Sequence, residues 1–205
     1  MENRATFISA QGNKEVKMSI IPGHFATNHS HVSHYIDLTG LKCQPKMAMA
    51  AAKELARSLA GTAKLDTIIC LEGTEIIGAY LAQELSGAYE LSILTPELNT
   101  NNQMIFRDNL QKMVWGKNVL LLMASVSTGK TINRAVDCLR YYNGHLAGVA
   151  ALFSAVQEMD GTKVHAVFTD EDLHDYHTYA ASDCAMCRSG RKLDAIINSF
   201  GYSKI

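Results

Sequence analysis

Residues 124–131 read Ala-Ser-Val-Ser-Thr-Gly-Lys-Thr, a composition suited to gripping a phosphoryl group. Main-chain N–H groups of small residues can converge on an anion, and a helix opening just after them adds positive potential. The hydroxyls of Ser125, Ser127, Thr128 and Thr131 can donate to the same anion, with Val126, Gly129 and Lys130 completing the run. A second polar turn, Glu72-Gly73-Thr74-Glu75, follows a short apolar stretch. Farther on, His174 and His177 precede Cys184 and Cys187, four residues whose spacing is compatible with tetrahedral Zn²⁺. The favoured alternative for that segment is a pair of reduced thiols on a turn with two surface histidines. His24, His29, His31 and His34 gather near the amino terminus. Their irregular spacing in a loop-like region favours hydrogen-bonded loop histidines over a metal or acid–base role.

The elements that must position these groups are legible from periodicity and punctuation. After Pro45, residues 46–60 are rich in Ala, Met, Leu, Lys and Glu and stop at Gly61, which predicts a helix. Residues 67–71 form a short, wholly apolar, β-branched run of the kind buried on both faces of a parallel sheet. Helical spacing returns over residues 75–85, and residues 89–95 read as the next strand. The span 97–116 has the weakest pattern and is expected to be a long, mobile excursion, with Trp115 its anchor or a dimer contact. Residues 118–123 are the clearest core strand, followed by the phosphate loop and a helix carrying Ile132, Ala135, Val136, Leu139 and Tyr142. Residues 147–153 and 164–168 supply two more strands. This alternation predicts an α/β fold, a mainly parallel sheet with helices on both faces. Ligands of such sheets bind beyond the carboxyl ends of the strands, where both polar turns fall.

Bulk properties narrow the function classes. The 205 residues suit one domain, and 19 basic against 20 acidic residues leave a net charge of −1. A nucleic-acid partner is not expected, because phosphate neutralisation calls for a basic excess. No stretch resembles a signal segment or approaches a membrane span, so no membrane association and a cytoplasmic location are expected. Five cysteines, an odd number mostly set in apolar segments, argue for reduced thiols.

Two families carry a phosphate loop of this composition. Ala124 and, after four residues, Gly129-Lys130-Thr131 satisfy a loose form of the P-loop of nucleoside triphosphatases, with Asp170 as the second acidic motif. Four segments in order point instead to the phosphoribosyltransferases, and most closely to the orotate enzymes. Gly23-His24-Phe25 with Ser30, His31, Ser33 and Tyr35 resembles their amino-terminal element. Glu72-Gly73-Thr74-Glu75 and the following Gly78 and Leu81-Ala82 resemble the diphosphate loop and its helix. Ser127-Thr128-Gly129-Lys130-Thr131 resembles the loop for 5-phosphoribosyl-1-diphosphate (PRPP), and Cys184-x-x-Cys187 resembles the tail of some members.

The resemblance implies a single domain over residues 1–205, with a core of about 46–169 and a small hood from about 1–45 and 170–205. It implies Mg²⁺ carried with PRPP, a homodimer, and transfer of the phosphoribosyl group to a nucleobase, orotate first. Lys112 and Arg107 are then the catalytic cations of the closing loop, and Phe25 and His24 line the base pocket. In two places the chain departs from the family. The acidic pair that binds the ribose hydroxyls is Ala124-Ser125 here, and the base-contacting Arg after the next strand is replaced within Phe153-Ser154-Ala155. The alternative is therefore a regulatory protein of the same fold that binds PRPP or a nucleotide with impaired catalysis. A P-loop nucleotide-binding protein is the more distant alternative.

Overall fold

A computed structural model describes residues 2–62, 64–87, 90–101, 103–159, 161–173 and 175–205. Strand β1 (Thr6–Ser9) leads into a long hairpin of β2 (Lys17–Ala26) and β3 (Ser30–Asp37). Helices α1 (Thr39–Cys43) and α2 (Pro45–Ser58) follow, then β4 (Thr67–Cys70), α3 (Glu75–Leu85) and β5 (Ser92–Leu94). A small hairpin, β6 (Glu97–Leu98) with β7 (Met104–Ile105), and the short α4 (Asp108–Gln111) precede β8 (Asn118–Val126) and α5 (Lys130–Tyr141). Next come β9 (His145–Ser154), β10 (Glu158–Met159) and β11 (Thr162–Thr169). The chain ends with β12 (Thr178–Ala180), α6 (Ala185–Arg188), β13 (Ala195–Asn198) and β14 (Gly201–Lys204).

The core sheet runs β10-β11-β9-β8-β4-β5, parallel throughout except for β10 at its edge. Because side chains alternate across a strand, each central strand feeds two hydrophobic layers. Ile68, Cys70, Leu120, Leu122 and Ala150 face α2 and α3, and Ile69, Leu121, Met123, Val149 and Ala151 face α5. Helix α2 starts with Pro45 at its first turn and buries Ala48, Ala51, Ala52 and Leu55, small residues that let it lie close to the sheet. The fold is α/β with helices on both faces of a mainly parallel sheet. No helix among the described residues is long and apolar enough to cross a membrane.

A second sheet, β12-β3-β2-β13-β14 with β1 on β2, is assembled from the two ends of the chain. Its inner residues Ile21, Phe25, Val32, Tyr35, Ala195 and Ile197 form a separate small core. Val16, Met18 and Leu38 join the layer beneath α2, fastening this sheet to the larger one.

Three expectations need correction. The histidine-rich segment is a β-hairpin rather than a loop. The span 97–116 is not an open excursion: Met104, Phe106 and Val114 are buried against α5, Phe106 stacks edge-on with Tyr142 at 5.1 Å, and Cys138 bonds the Met104 carbonyl. Trp115, 64% exposed, does not anchor it. Strand β8 also runs to Val126, so residues 124–126 belong to the strand and the loop proper is residues 127–129. Tyr89, expected to open the strand that here spans Ser92–Leu94, lies outside the described residues.

Candidate active site

In the core sheet β5 lies on one side of β4 and β8 on the other, so the strand order reverses between β4 and β8. Connections leaving neighbouring strand ends in opposite directions open a crevice at such a point. Here it is a cleft of about 350 Å³. Leu71 and Glu72 enter from the end of β4, Ser125 from β8, and Ser127, Thr131 and Arg134 from the loop and the first turns of α5. The smaller sheet covers it with Thr27, Asn28 and His29 of the β2–β3 turn, His34 and Tyr35 of β3, and residues 197–200. Phe153 and Tyr176, whose ring centroids lie 5.4 Å apart, form the apolar wall.

Ala124 and Val126 are both buried, while Ser125 between them reaches the cleft. Gly129 is the residue before α5, with φ of 72°, the left-handed region that a side chain disfavours. A Cβ there would stand 1.5 Å from Cε of Met159. Thr128 is half-buried and does not line the cleft, and Lys130 projects into solvent away from it.

The Glu72 turn is shaped by consecutive positive φ values, 62° at Glu72 and 78° at Gly73. This conformation swings the Glu72 side chain across the sheet, where one carboxylate oxygen accepts the main-chain N–H groups of Ala124 and Ser125, each at 3.2 Å. Burial pushes the Glu72 carboxyl above the usual carboxylate range, opposed by those two N–H groups and by the Lys42 ammonium. Lys42 donates to the carbonyls of Glu72 (3.2 Å) and Ser199 (2.6 Å), tying the turn to the covering sheet. Thr74, fully buried, places its hydroxyl on the carbonyls of Leu71 (2.9 Å) and Leu122 (3.1 Å), which locks the ends of β4 and β8 together. Glu75 begins α3 and faces outward, accepting from Thr95 at 3.3 Å.

Several sequence-predicted residues lie elsewhere. Phe25 is buried in the core of the smaller sheet, 6.1 Å from the Tyr35 ring, and does not line the cleft. His24 is also fully buried and faces Cys184 and Cys187. Arg107 is engaged by Glu97 in a two-pronged ion pair, and Lys112 is exposed after α4; neither lines the cleft. His177 does not join the cysteines; its N–H bonds Ser33 and its ring lies 6.0 Å from Tyr179. His174 lies outside the described residues. The metal grouping among the described residues is instead His24, His31, Cys184 and Cys187.

Sequence reasoning missed Arg134, although Thr131 and Arg134 are three residues apart and share a helix face. His34, read from the sequence among the hydrogen-bonded amino-terminal histidines, does line the cleft; it donates or accepts at Ser33 Oγ (2.9 Å), and burial holds its imidazole below its ordinary range. Burial, with the nearby Asp37 and Tyr202, pushes Tyr35 up to about 12, so it stays neutral.

No family model matches the chain. It is 27% identical over 177 residues to an orotate phosphoribosyltransferase of Thermoanaerobacter sp. (strain X514), covering 85% of this chain and 88% of that one. Its structure is similar to that of a phosphoribosyltransferase from Corynebacterium diphtheriae, with a TM-score of 0.55, 19% identity, and coverage of 75% of this chain and 90% of that one. It is also similar to Mycobacterium tuberculosis orotate phosphoribosyltransferase in complex with PRPP, with a TM-score of 0.53, 16% identity, and coverage of 68% and 83%. The chain therefore has the phosphoribosyltransferase fold and resembles orotate phosphoribosyltransferases over most of its length.

Proposed function

We propose that this protein is a phosphoribosyltransferase that transfers the 5-phosphoribosyl group of PRPP to a nucleobase, with orotate the acceptor. One observation carries the reading: a cleft at the strand-order reversal, floored by Glu72, Ser125, Ser127 and Thr131 and roofed by the smaller sheet. The names of the relatives and the PRPP-bound neighbour support it.

The substrate enters as Mg²⁺-PRPP. The 5-phosphate fits against the hydroxyls of Ser125, Ser127 and Thr131 and the amides opening α5. Departure of diphosphate leaves positive charge on the ribosyl ring, so the chain must accept charge at the leaving group and hold the sugar still. Glu72 supplies a carboxylate beside Ser125 for the ribose hydroxyls, in place of the acidic pair missing from β8. Arg134 is the cleft cation for a phosphate or for the carboxylate of orotate, and the Phe153–Tyr176 wall offers an apolar face to the base. Arg107 and Lys112 can serve the leaving group only if the 97–116 segment swings inward or a second copy of the chain presents them.

Purified protein titrated with Mg²⁺-PRPP, Mg²⁺-ATP and orotate, then assayed for diphosphate release, tests the proposal. PRPP binding with orotate-dependent release is expected. A second reading, a regulatory binder of PRPP, is favoured by one feature: among residues 124–126 only Ser125 reaches the cleft, and it brings no carboxylate. It predicts binding without release. ATP binding with no response to PRPP would overturn both.

A further inference from the structure

We infer that His24, His31, Cys184 and Cys187 form a zinc site that staples the β2–β3 hairpin to the carboxy-terminal segment. The four candidate ligand atoms all lie within 4.8 Å of one another. Nδ1 of His31 is 3.1 Å from Nε2 of His24, Sγ of Cys184 is 3.5 Å and Sγ of Cys187 3.7 Å from that same Nε2, and Sγ of Cys187 is 3.3 Å from His31 Nδ1. A tetrahedron with Zn–N of about 2.0 Å and Zn–S of about 2.3 Å has edges of roughly 3.3 Å between nitrogens and 3.5 Å between nitrogen and sulfur. The spacings here are those edges to within a few tenths of an ångström.

Proton-mediated bonding does not account for the grouping. Nδ1 of His24 lies 2.8 Å from the Arg191 carbonyl, which can only accept, so Nδ1 carries the hydrogen and Nε2 presents its lone pair inward. One lone pair accepts one hydrogen, yet three donor or acceptor atoms converge on it; a metal ion among them satisfies all four groups together. The Arg191 carbonyl is then the outer partner that orients a ligating imidazole. Asp194 reinforces this by accepting the His24 N–H (2.9 Å) while its own N–H donates to the His24 carbonyl (2.7 Å). At Gly23 a Cβ would stand 2.6 Å from that Asp194 carboxylate and from the Phe25 ring, so the strand reaches His24 through a residue without a side chain.

Two thiols with two imidazoles, and no carboxylate among the four, select Zn²⁺ over Mg²⁺ or Ca²⁺. Four protein ligands leave no open position, which makes the site structural. The staple is needed where it stands. Parallel pairing between β2 and β13 is limited to Ala195 with Phe25 and Ile196 with Ala26, and His24 and Cys184 are 160 residues apart. Closing so long a loop through a metal restricts the unfolded chain strongly.

The test is metal content of reduced protein purified without chelator. We expect near one zinc per chain, and, after exchange, a Co²⁺ derivative with thiolate-to-metal charge transfer and tetrahedral ligand-field bands. X-ray absorption should resolve two sulfur and two nitrogen neighbours. A Cys187→Ser variant should lose most of the zinc, a His177→Ala variant should retain it, and chelation should lower the melting temperature of the native chain. Reduced native protein that takes up neither Zn²⁺ nor Co²⁺ overturns the inference without any variant. Equal zinc retention by Cys187→Ser, or a Cys184–Cys187 disulfide in its place, overturns it as well. None of these readouts depends on phosphoribosyl transfer.

Discussion

Replacing Gly129 by Ala probes the phosphate loop at the point where backbone geometry and ligand binding meet. With φ of 72°, an L-residue there costs about 1–2 kcal/mol. The new methyl also falls 1.5 Å from Cε of Met159, the free end of a flexible side chain, so the displacement adds at the low end of the roughly 1–3 kcal/mol of overpacking. Ala restricts the unfolded chain more than Gly, which returns about 0.4–1 kcal/mol. The net expectation is a loss of about 2 kcal/mol, read as a lower urea midpoint at unchanged slope. If the loop relieves its strain by turning amides away from the cleft, one charge-assisted hydrogen bond worth about 1.5–3 kcal/mol is lost, and PRPP affinity falls at least tenfold. A double-mutant cycle with Met159→Ala separates the two causes: coupling near zero assigns the cost to φ, and a large coupling assigns it to the clash. Native-like stability together with native-like PRPP affinity in Gly129→Ala would refute both the strain argument and the assignment of this turn to phosphate.

Three further outcomes follow from the cleft. Thr74→Val removes a buried hydroxyl and leaves the Leu71 carbonyl without it, so stability should drop by about 1–3 kcal/mol in denaturant unfolding, with Thr74→Ser restoring most of it. Burial raises the Glu72 carboxyl on folding, so its contribution to stability is fully present below its unfolded value and is lost as pH rises through the folded one. Glu72→Gln should thus gain on the native chain in unfolding curves from acid toward neutral pH while diphosphate release falls; a gap that narrows over that range contradicts the burial argument. Lys42→Met frees the carbonyls of Glu72 and Ser199, and amide hydrogen exchange should quicken across residues 196–201 with little change in the core strands.

Much of the larger sheet was legible because its signals are local. Helix α3 is bounded as read, since its spacing and the Ser86-Gly87 stop agree, and β4 needs only a β-branched apolar run. The smaller sheet was foreseen only as a hood from the two chain ends, without its strands, because the histidine-rich segment read as a loop. In the structure Pro22 pairs with His34 of β3, while on the other side of β2 it falls between the residues paired with β1 (17–20) and with β13 (25–26), and a bulge between Pro22 and Phe25 absorbs the irregularity. That strand explains the histidines too. Ala26 opposes His31, and His24, in the bulge just before, brings its Nε2 to 3.1 Å from His31 Nδ1. The hairpin thus brings together histidines whose spacing along the chain is irregular. The 97–116 span misled for the opposite reason: its polar residues announced a loop, while three buried side chains, Met104, Phe106 and Val114, hold it down.

The clearest apparent defect in the sequence, Ala124-Ser125 where the family resemblance calls for two acids, changes meaning once the sheet is assembled. A strand end can receive a carboxylate from its own residues or from a neighbouring strand end, because parallel strands stand about 5 Å apart, within reach of a Glu side chain. The left-handed turn at Glu72 uses that reach, and its carboxylate rests on the amides of the two residues that lack one. Small side chains at residues 124 and 125 are then what the arrangement requires, since acids there would set like charges against Glu72 in a buried site and push its already elevated proton affinity higher. On the proposed function, the Ala124-Ser125 departure and the left-handed turn at Glu72 belong together, and a sequence compared position by position shows only the first.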